Sequence, residues 1–148
     1  VLLALLFFAH FFLEVPLAVW KSRRMGLRVA VLVPLCPALA RLYLFLSGRR
    51  IRGNWRRAYE IHAGGAAGKE FAGALAGDLD LIRRTAKGLF IWETAAPVPW
   101  KVRRLIRELE GEGKAFWVKG ARPLPKVPLH GPPERVRAHL RHGAVLIE

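Results

Sequence analysis

Two carboxylates, Asp80 and Glu93, are placed by the sequence where they could bind a hard cation. Leu79–Arg83 and Leu89–Thr94 are short apolar stretches, and the Thr-Ala-Lys-Gly sequence between them favours a turn. The pattern predicts a β-hairpin that starts near Asp80 and ends its second strand on Glu93. Such a hairpin brings carboxylates from both strands toward one end of a sheet, where their oxygens suit Mg²⁺. The sequence therefore predicts a magnesium site formed by Asp80 and Glu93.

The spacing of Asp80, Gly88 and Glu93 resembles the core of the nuclease-related domain called NERD, a branch of the PD-(D/E)xK nuclease superfamily. In that family an Asp opens one strand, a Gly precedes the next, and Ile-Glu-Thr-Lys ends it. Here the second strand closes in Ile-Trp-Glu-Thr, and Ala95 stands where the family carries its lysine. Residues i and i+2 of a strand share a face, so the family's Glu and Lys point together at the scissile phosphate. The similarity covers residues 63–140.

The resemblance implies catalytic roles for three residues. Asp80 and Glu93 would bind Mg²⁺, which polarises the phosphate and lowers the pKa of a water, while Glu70 would assist from the first helix. Without the family's lysine, hydrolysis is predicted to be weak or lost unless another amine reaches the site. The candidate amines are Lys69, Lys87 and Lys101. The alternative is that Asp78 and Asp80 belong to a turn and a helix cap, and that Glu93 pairs with an arginine.

Two long apolar stretches near the N-terminus predict a transmembrane hairpin. Leu2–Trp20 is almost wholly apolar and is followed by a basic cluster, and Leu27–Leu46 is of similar length. We expect an anchor of two membrane-spanning helices over residues 1–48, a basic juxtamembrane segment over 49–62 and an α/β domain over 63–148. The positive-inside rule then predicts a multi-pass protein of the cell inner membrane whose C-terminal domain is cytoplasmic.

Basic residues dominate the charge of the chain. Its 148 residues include 25 Lys and Arg against 11 Asp and Glu, which gives a formal net charge of +14. This balance favours partners that carry phosphate, either nucleic acid or anionic lipid headgroups. The same excess also suits a membrane protein that uses positive charge only for orientation. The residues predicted to bind DNA, RNA or membrane lipid are Arg49, Arg50, Arg52, Arg56, Arg57, Arg103, Arg104 and Arg107.

The composition disfavours several enzyme classes. The serines, Ser22 and Ser47, both flank predicted membrane helices, which argues against a serine nucleophile. Cys36 is the single cysteine, so neither an internal disulfide nor a cysteine-based zinc site is available. The five histidines show no spacing typical of a zinc site. The scarcity of Asn and Gln indicates a thermophile.

Periodicity and turn chemistry predict the remaining elements. Val102, Leu105, Ile106 and Leu109 form one apolar stripe, which predicts a helix over 101–110. The other expected elements are helices over 55–62, 66–75 and 132–140, a strand over 115–118 and an edge strand over 144–147.

These elements predict an α/β fold in which a two-helix transmembrane hairpin precedes a small restriction-endonuclease-like domain. The predicted function is a membrane-anchored, NERD-like protein that binds nucleic acid on the cytoplasmic side, with weak or lost Mg²⁺-dependent phosphodiester hydrolysis. The alternative is a non-enzymatic membrane subunit of a larger assembly or envelope, whose basic domain binds anionic lipid or a partner protein.

Overall fold

Five strands form one mixed sheet. The computed structural model describes residues 1–63, 68–123 and 138–148, and leaves the side chains of Phe7, His10 and Phe11 undescribed. The strands are β1 (Ala30–Leu35), β2 (Ala58–Ala63), β3 (Gly88–Thr94), β4 (Ala115–Lys119) and β5 (Arg141–Ile147). Their order across the sheet is β1-β2-β3-β5-β4, with β2 and β3 parallel and every other neighbouring pair antiparallel.

Helices cover both faces of the sheet and one edge. They are α1 (Leu2–Ala9), α2 (Val15–Arg24), α3 (Pro37–Leu46), α4 (Gly68–Thr85) and α5 (Trp100–Gly111), with a π-helical turn at His10–Glu14 between the first two. On one face, Ala40 and Tyr43 of α3 pack against a core that includes Leu89 and Ile91 of β3. On the other face, Ile82 of α4 packs against Leu32 and Phe90.

Within the described residues, the edge of β1 that pairs with no other strand is covered by α2. The Ser22 hydroxyl accepts a hydrogen bond of 3.0 Å from the Leu32 N–H, and the Arg23 guanidinium donates to the Ala30 carbonyl at 3.1 Å. These contacts satisfy backbone groups that an edge strand otherwise leaves unpaired. Pro34 fits this position because a proline in a strand is tolerated at a sheet edge.

The predicted transmembrane hairpin is wrong. In the described part of the chain, no helix combines the length and the apolar character needed to cross a membrane. The second predicted span is divided instead into β1, where valines alternate along a strand, and α3, which starts at Pro37. The predicted architecture, an anchor followed by a restriction-endonuclease-like domain, is therefore wrong. The observed fold is mixed α/β, and β1, from the predicted anchor, is one strand of its sheet. The multi-pass inner-membrane location fails for the same reason.

The predicted hairpin around Asp80 is also wrong. Its second strand exists as β3, but Leu79–Arg83 lies inside α4, and the neighbours of β3 are β2 and β5. Leu75, Leu79 and Ile82 recur at helical spacing and face the core. This longer period, and not the local alternation of Asp and Leu, decides the structure.

The other predictions have mixed outcomes. The helix over 101–110 and the strand over 115–118 are confirmed as α5 and β4. The helix expected over 55–62 is wrong, because β2 occupies most of it. The last strand is confirmed, but it lies inside the sheet between β3 and β4 instead of at an edge. The helix expected over 132–140 falls mostly outside the described residues.

Candidate anion-binding surface and buried polar cluster

Residues 49–57, which we call the arginine strap, cross the end of the sheet where β3 and β4 begin. The Arg52 N–H donates to the Gly113 carbonyl at 2.8 Å, and the Arg57 carbonyl accepts from the Leu89 N–H at 2.9 Å. Ile51 and Trp55 pack against the core on the α3 side. The backbone of the strap is therefore fixed at several points along its length.

Glycines allow the strap to approach the sheet closely. Gly88, the first residue of β3, has φ +142°, and a Cβ there would lie 2.6 Å from the Arg57 carbonyl oxygen. Gly53 has φ +120°, and its Cβ would lie 2.5 Å from a methyl carbon of Leu146. Both backbone conformations favour glycine. A side chain at either position would displace the strap.

The five strap arginines are exposed. Within the described residues none of them forms an ion pair with a carboxylate. The nearby acids Glu112 and Glu148 are engaged by Lys114, whose Nζ lies 3.2 and 3.0 Å from their oxygens. Hydrogen bonds to Glu148 and then Glu112 raise the pKa of Lys114 above its usual value. Lys114 offsets one of these two negative charges, and the strap arginines outnumber the one that is left. The arginines are Arg49, Arg50, Arg52, Arg56 and Arg57.

The arginines of α5 form a second basic surface. Arg103, Arg104 and Arg107 are exposed on the helix face opposite its apolar stripe. Arg104 is partly neutralised by Glu108, with 3.0 Å between the guanidinium and the carboxylate. The helix ends at Gly111, two residues before the Gly113 carbonyl that accepts from the strap. Exposed Glu108, Glu110 and Glu112 lie between Arg107 and that contact, so the two basic surfaces are separated by acidic side chains.

A cluster of ionisable side chains lies on the sheet face covered by α3. Arg122 connects the two carboxylates of the cluster. Its guanidinium is 3.1 Å from Glu60, and its backbone N–H donates to the Glu93 carboxylate at 2.8 Å. His62 Nε2 lies 3.1 Å from the other Glu60 oxygen. The Glu60 side chain is 0% exposed and that of Arg122 only 3%. The members of this buried polar cluster are Tyr43, Glu60, His62, Glu93, Arg122 and His142.

Burial controls the protonation of the other two members of the cluster. Tyr43 and the Nδ1 atom of His142 share a buried hydrogen bond of 2.6 Å. Burial lowers the pKa of His142, with the Arg122 cation acting in the same direction and the Glu93 carboxylate opposing it. Burial also raises the pKa of Tyr43 well above its usual value. Both groups are therefore held neutral near pH 7, which suits a structural hydrogen bond.

The structure places the predicted catalytic residues in different surroundings. Asp80 lies on α4 and forms an i,i+4 ion pair with Arg84, both side chains being largely exposed. Glu93 lies at the end of β3 in the buried polar cluster, and Glu70 is exposed in the first turn of α4. Ala95 follows β3 directly. The described residues include no group of three or more His, Cys, Asp and Glu arranged to hold a metal ion.

The two carboxylates brought near Arg122 are Glu93 and Glu60, of which only Glu93 is a predicted site residue. The local signal at Glu60 is the alternation in Ala58–His62, where Tyr59 and Ile61 point away from Glu60. That alternation predicts a strand, but with Tyr59 and Ile61 on the buried face and Glu60 facing solvent. The burial of Glu60 follows from the packing of a second layer on its face of the sheet, and a buried carboxylate requires a charged or hydrogen-bonding partner. Arg122 lies in a loop far along the chain, and no local pattern identifies it.

Comparison of the chain with protein-family models, curated proteins and solved structures finds no match.

Proposed function

We propose that this chain binds the phosphate backbone of nucleic acid through the arginine strap. The observation that carries the proposal is a run of exposed arginines whose backbone is fixed to the sheet and whose nearby acids are engaged by Lys114. Guanidinium groups suit phosphate because they remain charged and present several donors in a planar fork. Arginines held at fixed positions lose less conformational entropy when they bind than arginines on a flexible tail.

Nucleic acid is favoured over a small anion because the basic surface is extended. The strap crosses one end of the sheet and presents five exposed arginines along nine residues of chain. A polymer with regularly spaced phosphates can contact several of these cations together, which increases affinity through counterion release. The resemblance to nuclease-related domains stays a prediction, and it adds no support because Asp80 lies in a helix and not at the start of a strand.

Hydrolysis is proposed to be weak or absent. Asp80 is paired with Arg84 on the surface of α4, whereas Glu93 accepts a hydrogen bond from Arg122 in the buried cluster. Ala95 provides no amine to position an attacking water. Plasmid cleavage with Mg²⁺ or Mn²⁺ should therefore be slow in the native protein, and Ala95→Lys tests whether an amine restores it. Rapid cleavage that disappears in Glu93→Ala would overturn this part of the proposal.

Binding is tested by fluorescence anisotropy with labelled single-stranded and duplex DNA. Arg50→Gln combined with Arg56→Gln removes two strap cations and should weaken binding by about tenfold or more at low salt. The matched control is Arg83→Gln with Arg84→Gln, which removes the same charge from exposed positions on α4. Equal weakening by the two pairs would show that only net charge matters and would refute a dedicated role for the strap.

A further inference from the structure

A groove of about 1300 Å³ lies between α2, the start of α3 and the end of the arginine strap. This volume exceeds the range of about 300–1,000 Å³ typical of small-molecule sites, so the groove has room for both an apolar and a charged part of one ligand. Its apolar walls include Leu17 of α2 and Leu39 of α3, which are 47% and 43% exposed. Leucines exposed in a concave surface favour an apolar ligand.

The groove also carries a cationic rim. Lys21, Arg56, Arg57 and Lys87 line it, and all four are exposed. Three acidic side chains also line the groove, Glu14, Glu60 and Glu148. Arg122 pairs with Glu60 at 3.1 Å, and Lys114 pairs with Glu148 at 3.0 Å. A ligand that matches both features has a hydrocarbon chain for the walls and an anionic head for the rim.

The aromatic residues of the groove are not available for stacking on bases. The Trp55 ring has the Arg41 guanidinium 5.6 Å from its centroid and packs on the core, and Tyr59 stacks on Phe90 at 5.3 Å. Recognition of single-stranded nucleic acid usually requires aromatic side chains on which bases stack. The free walls are aliphatic, and they therefore suit an acyl chain better than a nucleobase.

We infer that this groove binds one anionic single-chain lipid, with its acyl chain between Leu17 and Leu39 and its phosphate head among the rim cations. The inference goes beyond nucleic-acid binding, because it rests on the aliphatic walls and not on the strap alone. A second copy of this chain is a poorer occupant, since two surfaces with the same cationic rim repel each other.

The test is calorimetric titration of the full chain with octyl, decyl and dodecyl phosphate below their micelle concentrations. If the alkyl chain of the ligand is buried in the groove, affinity should increase about fourfold for each added methylene. Inorganic phosphate, which has no chain, should bind far more weakly. Affinity that is independent of chain length, or equal for inorganic phosphate, would overturn the inference by reducing the site to a simple anion site.

Substitutions separate the groove from other apolar surface. Leu17→Gln with Leu39→Gln should remove most of the chain-length dependence and leave DNA affinity unchanged. The matched control is Leu3→Gln with Leu6→Gln, which replaces exposed leucines of α1 outside the groove. An equal loss in both pairs would place the lipid on the N-terminal helix and contradict the inference. The protein could also dimerise in a concentration-dependent way that only the groove substitutions abolish. That result would contradict the inference too, because a second copy would then occupy the groove.

Discussion

Asp78 is predicted to be one of the largest single contributors to the stability of this fold. Its buried carboxylate, on α4, accepts hydrogen bonds from the consecutive backbone N–H groups of Arg28, Val29 and Ala30, at 2.7–3.0 Å. These groups lie at the entrance to β1, so the carboxylate fixes the edge strand to the helix that crosses the sheet. Removing it should loosen both elements together.

The magnitude follows from the donors that lose their acceptor in Asp78→Ala. The bonds from Val29 and Ala30 are buried, whereas that from Arg28 is only partly buried and can be replaced by water. A buried donor left without a partner costs about 1–3 kcal/mol, and the lost bonds are charge-assisted, so we expect a loss of about 3–5 kcal/mol. This is a large part of the ~5–15 kcal/mol that stabilises a typical domain.

Asp80, two residues further along the same helix, provides the control. Its ion pair with Arg84 is exposed, and exposed pairs of this spacing contribute about 0.3–0.5 kcal/mol. The free energy of unfolding of both variants can be measured by urea denaturation, followed by far-ultraviolet circular dichroism. If Asp78→Ala and Asp80→Ala differ by less than about 1 kcal/mol, the reasoning from buried hydrogen bonds is refuted.

Three further predictions concern the buried polar cluster and the strap. Glu60→Ala leaves the Arg122 guanidinium buried without its carboxylate and should cost about 3–5 kcal/mol in urea denaturation; a loss below ~1 kcal/mol would contradict a buried ion pair. The pKa of His142 is lowered in the folded state, so the unfolded chain binds a proton first as the pH falls below its usual value of about 6.5. Stability should therefore decrease from pH 7.5 to 5.5, and the decrease should be smaller in His142→Asn; an unchanged decrease would exclude this histidine as a cause. Gly88→Ala should lower the melting temperature and also weaken DNA binding, because the added Cβ meets the Arg57 carbonyl; full DNA affinity would show that strap position does not matter.

Local patterns predicted the elements whose structure depends on neighbouring residues. The apolar stripe of α5 recurs at helical spacing over its whole length, and the strand that became β3 is apolar with β-branched and aromatic residues. For Leu79–Arg83 the local alternation favoured a strand, but Leu79 and Ile82 continue a helical period that begins before this stretch at Leu75. Packing of that period against the sheet determines the outcome.

The apolar stretch Leu27–Leu46 illustrates a different limit. Mean hydropathy does not distinguish a membrane-spanning helix from a buried strand followed by a short helix. Proline is the physical signal that divides this stretch, because Pro37 suits the first turn of a helix and Pro34 suits only an edge strand. The pairing of β1 with β2 then buries the same apolar residues within the sheet.

The candidate site depended on contacts that are distant in sequence. The charge of the strap arginines alone makes them candidates, but the contacts of Lys114 with Glu112 and Glu148 are visible only in the fold. The ion pair between Glu60 and Arg122 likewise joins residues that are distant in sequence. Side-chain type and local spacing could identify the candidates, whereas only the fold shows which charges compensate one another.

The most direct test of the proposed function is the salt dependence of duplex DNA binding. The logarithm of the binding constant should fall linearly with the logarithm of salt concentration, with a slope of about −0.9 for each phosphate contact. Arg50→Gln with Arg56→Gln should make this slope less steep by about 1.8, while Arg83→Gln with Arg84→Gln should leave it unchanged. Identical slopes in the native protein and the strap variant would contradict binding of the phosphate backbone by the arginine strap.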